Sequence, residues 1–158
     1  MESLERVLRE HPFLKGLPED QVSQLVGCAK NTRFSAGELV LREGEEETHF
    51  YLLREGTVAL EAHRPGKPAL LVETLGPGDV LGVSWMFDAG PGSPTKTAPA
   101  SLDARARDTV VAFALDGACL RGKMAADDRL GHALTRHLLE RVYLRLSRLR
   151  LQSLDVYG

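Results

Sequence analysis

The sequence predicts a mainly β fold with flanking helices, on three observations. Short apolar runs recur between glycine turns from Thr32 to Leu115, helical patterns precede them, and a long stretch free of proline follows them. Short strands at regular spacing with glycine turns indicate a sandwich or barrel. With 158 residues, 43% of them hydrophobic, and a formal net charge of -2, the chain can bury one good core. Three segments follow: a helical one over 1–30, a β one over 31–115, and a short helix plus a long one over 116–158.

At the N-terminus, Leu4, Val7 and Leu8 mark a short helix over residues 3–10 that ends near Pro12, with Phe13 and Leu14 as apolar anchors. Pro18-Glu-Asp-Gln-Val opens a second helix, because proline and acids suit a helix start. Val22, Leu25 and Val26 share one face, and Gly27 ends it. The strand region places Phe34, Leu39, Leu41, Phe50, Leu52, Val58 and Leu60 in short runs. Arg54-Glu-Gly-Thr57 and Arg64-Pro-Gly-Lys67 both read as hairpin turns.

Gly76-Pro77-Gly78-Asp79 is a further turn. The uncharged run Val80–Phe87 that follows is expected inside the protein, with Gly82 passing a strand into a short helix. Such a helix start exposes unpaired N–H groups that can hold an anion. Residues 88–99 have loop composition throughout and are expected to form a mobile surface loop. Leu102, Ala104 and Ala106 then alternate with Asp103, Arg105 and Arg107 as a half-buried strand. Val110–Leu115 forms the next strand, and Asp116 caps a helix.

From Asp127 onward one apolar seam runs Leu139, Val142, Leu146, Leu149, Ser153 and Val156, and a second stripe runs Leu130, Leu134 and Leu138. Two apolar faces suit a helix packed on its own domain by one and on a partner helix by the other. Arg129, Arg136, Arg141, Arg145, Arg148 and Arg150 are expected on its solvated face, with a nucleic-acid surface as the other reading. Cys28 and Cys119 sit in apolar contexts and read as buried thiols rather than as a disulfide or metal pair. No apolar run reaches membrane-spanning length and no signal peptide opens the chain, so a cytoplasmic setting without membrane contact is expected.

Phe34-Ser-Ala-Gly-Glu-Leu-Val-Leu-Arg-Glu-Gly-Glu45, Phe50-Tyr-Leu-Leu-Arg-Glu-Gly-Thr-Val-Ala-Leu60 and the stretch Leu75–Phe87 together resemble the cyclic-nucleotide-binding domain of the catabolite-activator type of bacterial regulator. The resemblance covers residues 10–155. It implies a jelly roll (double-stranded β-helix) with N-terminal helices and a long C-terminal dimerisation helix. It also implies a phosphate-binding cassette, in which a Gly-Glu pair starts a short helix and an arginine beside a small residue follows. There the Glu takes the ribose 2′-hydroxyl, while the Arg and helix N–H groups take the cyclic phosphate.

Here Gly82 matches the glycine, but Val83 stands at the Glu position, and Ala98 and Pro99 stand where the arginine and its neighbour belong. Losing two such contacts weakens a cyclic nucleotide by about a hundredfold to many thousandfold. Lys96 is the one nearby cation able to replace the arginine, Ser84 can offer a hydroxyl, and Trp85 is expected to fill the cavity or stack on a ligand. The ligand-site candidates are thus Gly82, Val83, Ser84, Trp85, Lys96, Ala98 and Pro99. Leu139, Val142, Leu146 and Leu149 are the dimerisation candidates.

These residues point to a regulatory module acting through protein contacts. Alternatives are a small-ligand sensor for a cyclic nucleotide or other anion, and a fragment of a transcription regulator. No cofactor is expected, a cyclic nucleotide being disfavoured. The expected partners are a second copy and an unidentified protein. With no helix-turn-helix after the long helix and no N-terminal cysteine cluster, neither sequence-specific DNA binding nor an iron–sulfur centre is expected. An enzyme of the related cupin barrel would need closely spaced histidines with a Glu as metal ligands. His49 and His63 stand apart, and His11, His132 and His137 lie on helical segments. No nucleophile has a recognisable base, so neither catalytic nor metal-ligating residues are expected.

Overall fold

The computed structural model describes the backbone of residues 3–157 and side chains through 151. Three elements precede the sheets: α1 (Leu4–Arg9), a 3-10 turn at Pro12–Leu14, and α2 (Glu19–Val26). Eight strands follow: β1 (Ala29–Phe34), β2 (Leu39–Leu41), β3 (His49–Glu55), β4 (Val58–Ala62), β5 (Leu70–Leu75), β6 (Val80–Leu81), β7 (Asp103–Ala106) and β8 (Val110–Asp116). A 3-10 turn at Ser84–Met86 stands between β6 and β7. The chain closes with α3 (Gly117–Ala126) and α4 (Asp128–Tyr157).

The strands form two antiparallel sheets, ordered β1-β8-β3-β6 and β2-β7-β4-β5. This is the expected jelly roll with flanking helices. Because side chains alternate along a strand, β3 serves two cores at once. Phe50 and Leu52 face the helices, joining Phe13, Leu25, Phe113, Leu120 and Leu130. Tyr51 and Leu53 face the interior of the roll, with Val58, Leu60, Leu75, Ala104 and Val110.

One expected turn has a different role. Arg64–Lys67 does join the paired strands β4 and β5, but Arg54–Thr57 closes no hairpin, since β3 and β4 lie in different sheets. The turn passes the chain from one sheet to the other, and Gly56 makes that possible. Its φ is +87°, and a Cβ there would sit 2.3 Å from the Thr109 carbonyl oxygen.

The arginines of α4 also depart from expectation. Arg141 and Arg145 donate to the carbonyl oxygens of Gly78 and Val80, each at 2.9 Å. Arg145 and Arg148 pair with the buried carboxylate of Glu73 at 3.2 and 2.9 Å. These three therefore fasten the helix to β5 and the turn before β6, while Arg129, Arg136 and Arg150 are exposed. Long guanidinium side chains can reach backbone carbonyls that no periodicity argument foresees.

The cysteines are not thiols. Cys28 and Cys119 form a disulfide across 91 residues of sequence, joining the residue before β1 to the first turn of α3. Their apolar surroundings mark a buried site but say nothing about which two segments meet there.

His11 caps the first 3-10 turn from a buried position. Its Nδ1 accepts from the Phe13 N–H, so its Nε2–H donates to the Leu53 carbonyl. Both nitrogens are engaged in the neutral form, and burial holds the imidazole below its ordinary value of 6.5. The unfolded chain therefore binds the proton first, and stability falls as pH drops below about 6.5. We expect the melting temperature to decrease between pH 7.5 and 5.5. His11→Asn, which keeps a capping acceptor, should remove most of that decrease; an equal slope in the variant would contradict the assignment.

Candidate functional site

The site forms where β6 ends. Gly82 turns the chain with φ +89°, and a Cβ on it would come within 3.0 Å of the His49 carbonyl oxygen. The chain then enters the short turn Ser84–Met86, whose first free N–H, that of Ser84, points toward the roll. It does not face open space: it donates to Glu47 Oε2 at 2.8 Å. Glu47 lies two residues before β3 and is only 6% exposed. Beside it, Glu46 Oε1 accepts from both the backbone N–H and the hydroxyl of Thr97, at 3.0 and 2.9 Å. Thr97 directly precedes Ala98, the position at which the family resemblance leads one to expect the cassette arginine.

Two carboxylates of the chain itself thus sit on the donors of this corner. The hydrogen bonds from Thr97, chiefly its backbone N–H, hold the Glu46 carboxyl below its usual range, and nearby Lys96 adds to this. Glu47 goes the other way: burial pushes its pKa up, against the opposing bonds from Ser84. Among the described residues, no Lys, Arg or His pairs with it. Tyr51, beside it, is raised by burial and by the Glu47 charge. The hollow that Glu47 and Tyr51 share with Leu39, Leu41 and Ala100 has a volume of about 140 Å³. Pockets that hold drug-sized ligands run from about 300 Å³ upward.

A raised carboxyl stabilises the fold only while protonated, so its contribution is complete below about 4.5 and is lost as pH rises past the folded value. Glu47→Gln keeps an acceptor for the Ser84 N–H and carries no charge. We expect it to melt above the wild type at pH 7, with the difference shrinking toward pH 4.5. A variant that melts lower at pH 7 would show that Glu47 does not bear an unpaired buried charge.

The remaining candidates scatter. Val83 and Ser84 are half-buried at the corner, and Pro99 is exposed, bridged to Glu46. Ala98 offers only its backbone, its N–H donating to the Phe87 carbonyl at 2.9 Å. Lys96 is exposed and faces a second hollow of about 290 Å³ on the other side of Glu46, Glu47 and Thr97, which it shares with Trp85, Asp116 and Arg121. Trp85 fills no cavity of the roll. Its ring packs on Phe50 among the residues facing the helices, and its Nε1–H donates to the Gly82 carbonyl at 2.8 Å. The loop over 88–99 is pinned at its base by the Asp88–Thr97 bridge and the Ala89 N–H to Lys96 carbonyl bond, and Thr97 is buried. Only its tip, 90–94, is exposed throughout.

On α4, Leu139 and Leu146 are 66% and 65% exposed, Val142 is also exposed, and Leu149 is half-buried. The seam positions Ser153 and Val156 lie outside the described side chains. Leu130, Leu134 and Leu138 are buried against the domain, so the two stripes do face different ways.

The model of the cyclic nucleotide-binding domain family matches residues 31–127. The chain belongs to that family. A putative cyclic nucleotide-binding protein from Geobacter metallireducens superposes with a TM-score of 0.74 at 25% identity, over 92% of this chain and 99% of that one. Human cGMP-dependent protein kinase 2 is 32% identical over 82 residues, 51% of this chain and 11% of the kinase. The CRP-like cAMP-activated global transcriptional regulator of Mycobacterium tuberculosis is 24% identical over 139 residues, 88% of this chain and 58% of that protein. The chain thus spans about a tenth of the kinase. The family is a regulatory, ligand-binding one rather than a catalytic one. Among the described residues of this cyclic nucleotide-binding domain, no helix is long and apolar enough to cross a membrane, and no cluster of His, Cys, Asp and Glu is placed to hold a metal.

Glu46, Glu47 and Thr97 were not among the site residues that the sequence suggests. A signal for Glu47 exists: counting back by two from Leu53 and Tyr51, the interior-facing positions of β3, reaches it. Nothing comparable marks Thr97, because its place follows from the loop folding back on Phe87.

Proposed function

We propose that this domain is a regulatory module whose cassette is closed to cyclic nucleotides and which acts through protein contacts as a homodimer. The observation that supports it best is the Glu47 carboxylate on the Ser84 N–H. An anionic phosphate arriving there meets a buried negative charge instead of free donors. Val83 and Ala98 also lack the carboxyl and guanidinium that would favour a nucleotide. The module is not an enzyme in this reading, takes no cofactor, and works in the cytoplasm without binding DNA sequence-specifically or touching a membrane.

Titration calorimetry with cyclic AMP and cyclic GMP tests the closed cassette. No heat is expected up to millimolar nucleotide, and saturable micromolar binding would overturn the reading in favour of a ligand sensor. Lys96 and Arg121 beside the 290 Å³ hollow, which Glu46, Glu47 and Asp116 also line, are the cations such a sensor would use. For the dimer, the exposed row Leu139, Val142, Tyr143 and Leu146 supplies the apolar face. Leu146→Asp should halve the mass seen by light scattering; a mass that does not change on substitution would dismiss the seam.

A further inference from the structure

The disulfide joins parts of the molecule that matter to both ends of the site. Cys28 and Cys119 are the only cysteines in the chain. Cys119 belongs to the first turn of α3, where Asp116 Oδ1 accepts its N–H at 2.9 Å. The Asp116 N–H donates in turn to the Cys28 carbonyl at 2.9 Å. On its other side this turn presses on the cassette: the Gly117 N–H donates to the Thr48 carbonyl at 2.8 Å, and a Cβ on Gly117 would lie 2.8 Å from the Trp85 Cβ. Farther along, Arg121 pairs with Asp88 at 3.8 Å, and Asp127 alone separates α3 from α4. Among the links between distant segments here, the sulfur–sulfur bond is the one covalent link, and a thiol can open it.

We propose that the Cys28–Cys119 disulfide is a redox-controlled strap on α3, holding the Trp85 turn and the root of α4 in place while closed and releasing them when reduced. Cys119 is the more exposed of the two residues, so its Sγ is taken as the sulfur that an incoming thiolate attacks. The attack forms a mixed disulfide at Cys119 and expels Cys28 as a thiolate. The second thiol of a dithiol reductant then attacks the mixed disulfide and expels Cys119. Two electrons and two protons pass to the protein, giving two thiols, and the dithiol leaves as its own disulfide. In a thiol-rich compartment such a bond is under continual challenge. The released state differs from the closed one at α3, next to the Trp85 turn and the root of α4. The strap would act in the same way whether or not a nucleotide binds.

The test compares oxidised and dithiothreitol-reduced protein by amide hydrogen exchange and by acrylamide quenching of Trp85. The strap requires exchange in 117–126 and 84–88 to rise by roughly tenfold or more on reduction, with β4 and β5 unchanged. Trp85 quenching should rise with it, and reoxidation should reverse both. Cys119→Ser should behave as the reduced protein and ignore dithiothreitol. Three results would overturn the proposal: no change on reduction, an equal rise in every segment, which marks a general staple, or two free thiols by mass spectrometry after mild oxidation.

Discussion

Replacing Trp85 by alanine is expected to cost about 3–5 kcal/mol of folding stability. The indole is 1% exposed, lies 5.7 Å from the Phe50 ring, and touches the α3 turn at Gly117. Truncation opens a void that rigid neighbours on a sheet and a disulfide-tethered helix can only partly fill. It also leaves the Gly82 carbonyl without its 2.8 Å donor, at the residue that aims the Ser84 N–H. Urea unfolding followed by circular dichroism measures the loss. Trp85→Phe, which keeps most of the ring volume, should lose less than half as much. A change of under about 1 kcal/mol for the alanine variant would place the indole outside the core.

Glu73→Ala is the second large effect, expected at about 3 kcal/mol. Its carboxylate is buried and receives Arg145 at 3.2 Å and Arg148 at 2.9 Å. Burial already pulls the Arg145 pKa down, and the Glu73 charge opposes that pull. Removing the carboxylate leaves a desolvated guanidinium without its counter-charge. Arg148 is half-exposed and adds little, which keeps the effect at the low end for a broken buried pair. The loss should be local to the helix beyond Arg141, with amide exchange rising in 141–151 and the sheets unaffected. A stability change within about 0.5 kcal/mol would show the pairing to be incidental.

The order of elements was legible because each rests on a local pattern. Pro18 and the acids after it start α2, the glycine turns separate the strands, and the stripe Leu130, Leu134 and Leu138 picks out the buried face of α4. Val83 and Ala98 can also be read by type, which is what motivates the proposal of a closed cassette. What sequence did not yield depends on segments distant in the chain. The partner of Cys119 is 91 residues away. The role of Glu73 requires α4 to lie across β5. The side to which Trp85 turns depends on α3, which follows it by some thirty residues. Nothing local distinguishes Glu46 and Glu47 from the acids beside them, because their donors, Ser84 and Thr97, come from the segment after β6.

In the proposed closed cassette, Glu47 and Glu46 occupy the N–H donors of Ser84 and Thr97. Amide resonances of Ser84 and Thr97, followed in ¹⁵N-labelled protein, test this most directly. If the carboxylates hold these N–H groups, both resonances stay fixed as cyclic AMP rises to millimolar. Both should move on acidification as their acceptors titrate, Ser84 at a higher pH than Thr97, because Glu47 is raised and Glu46 lowered. Saturable shifts of both amides at micromolar nucleotide, with no response to pH, would mean that a phosphate rather than a carboxylate is the anion they are built to hold.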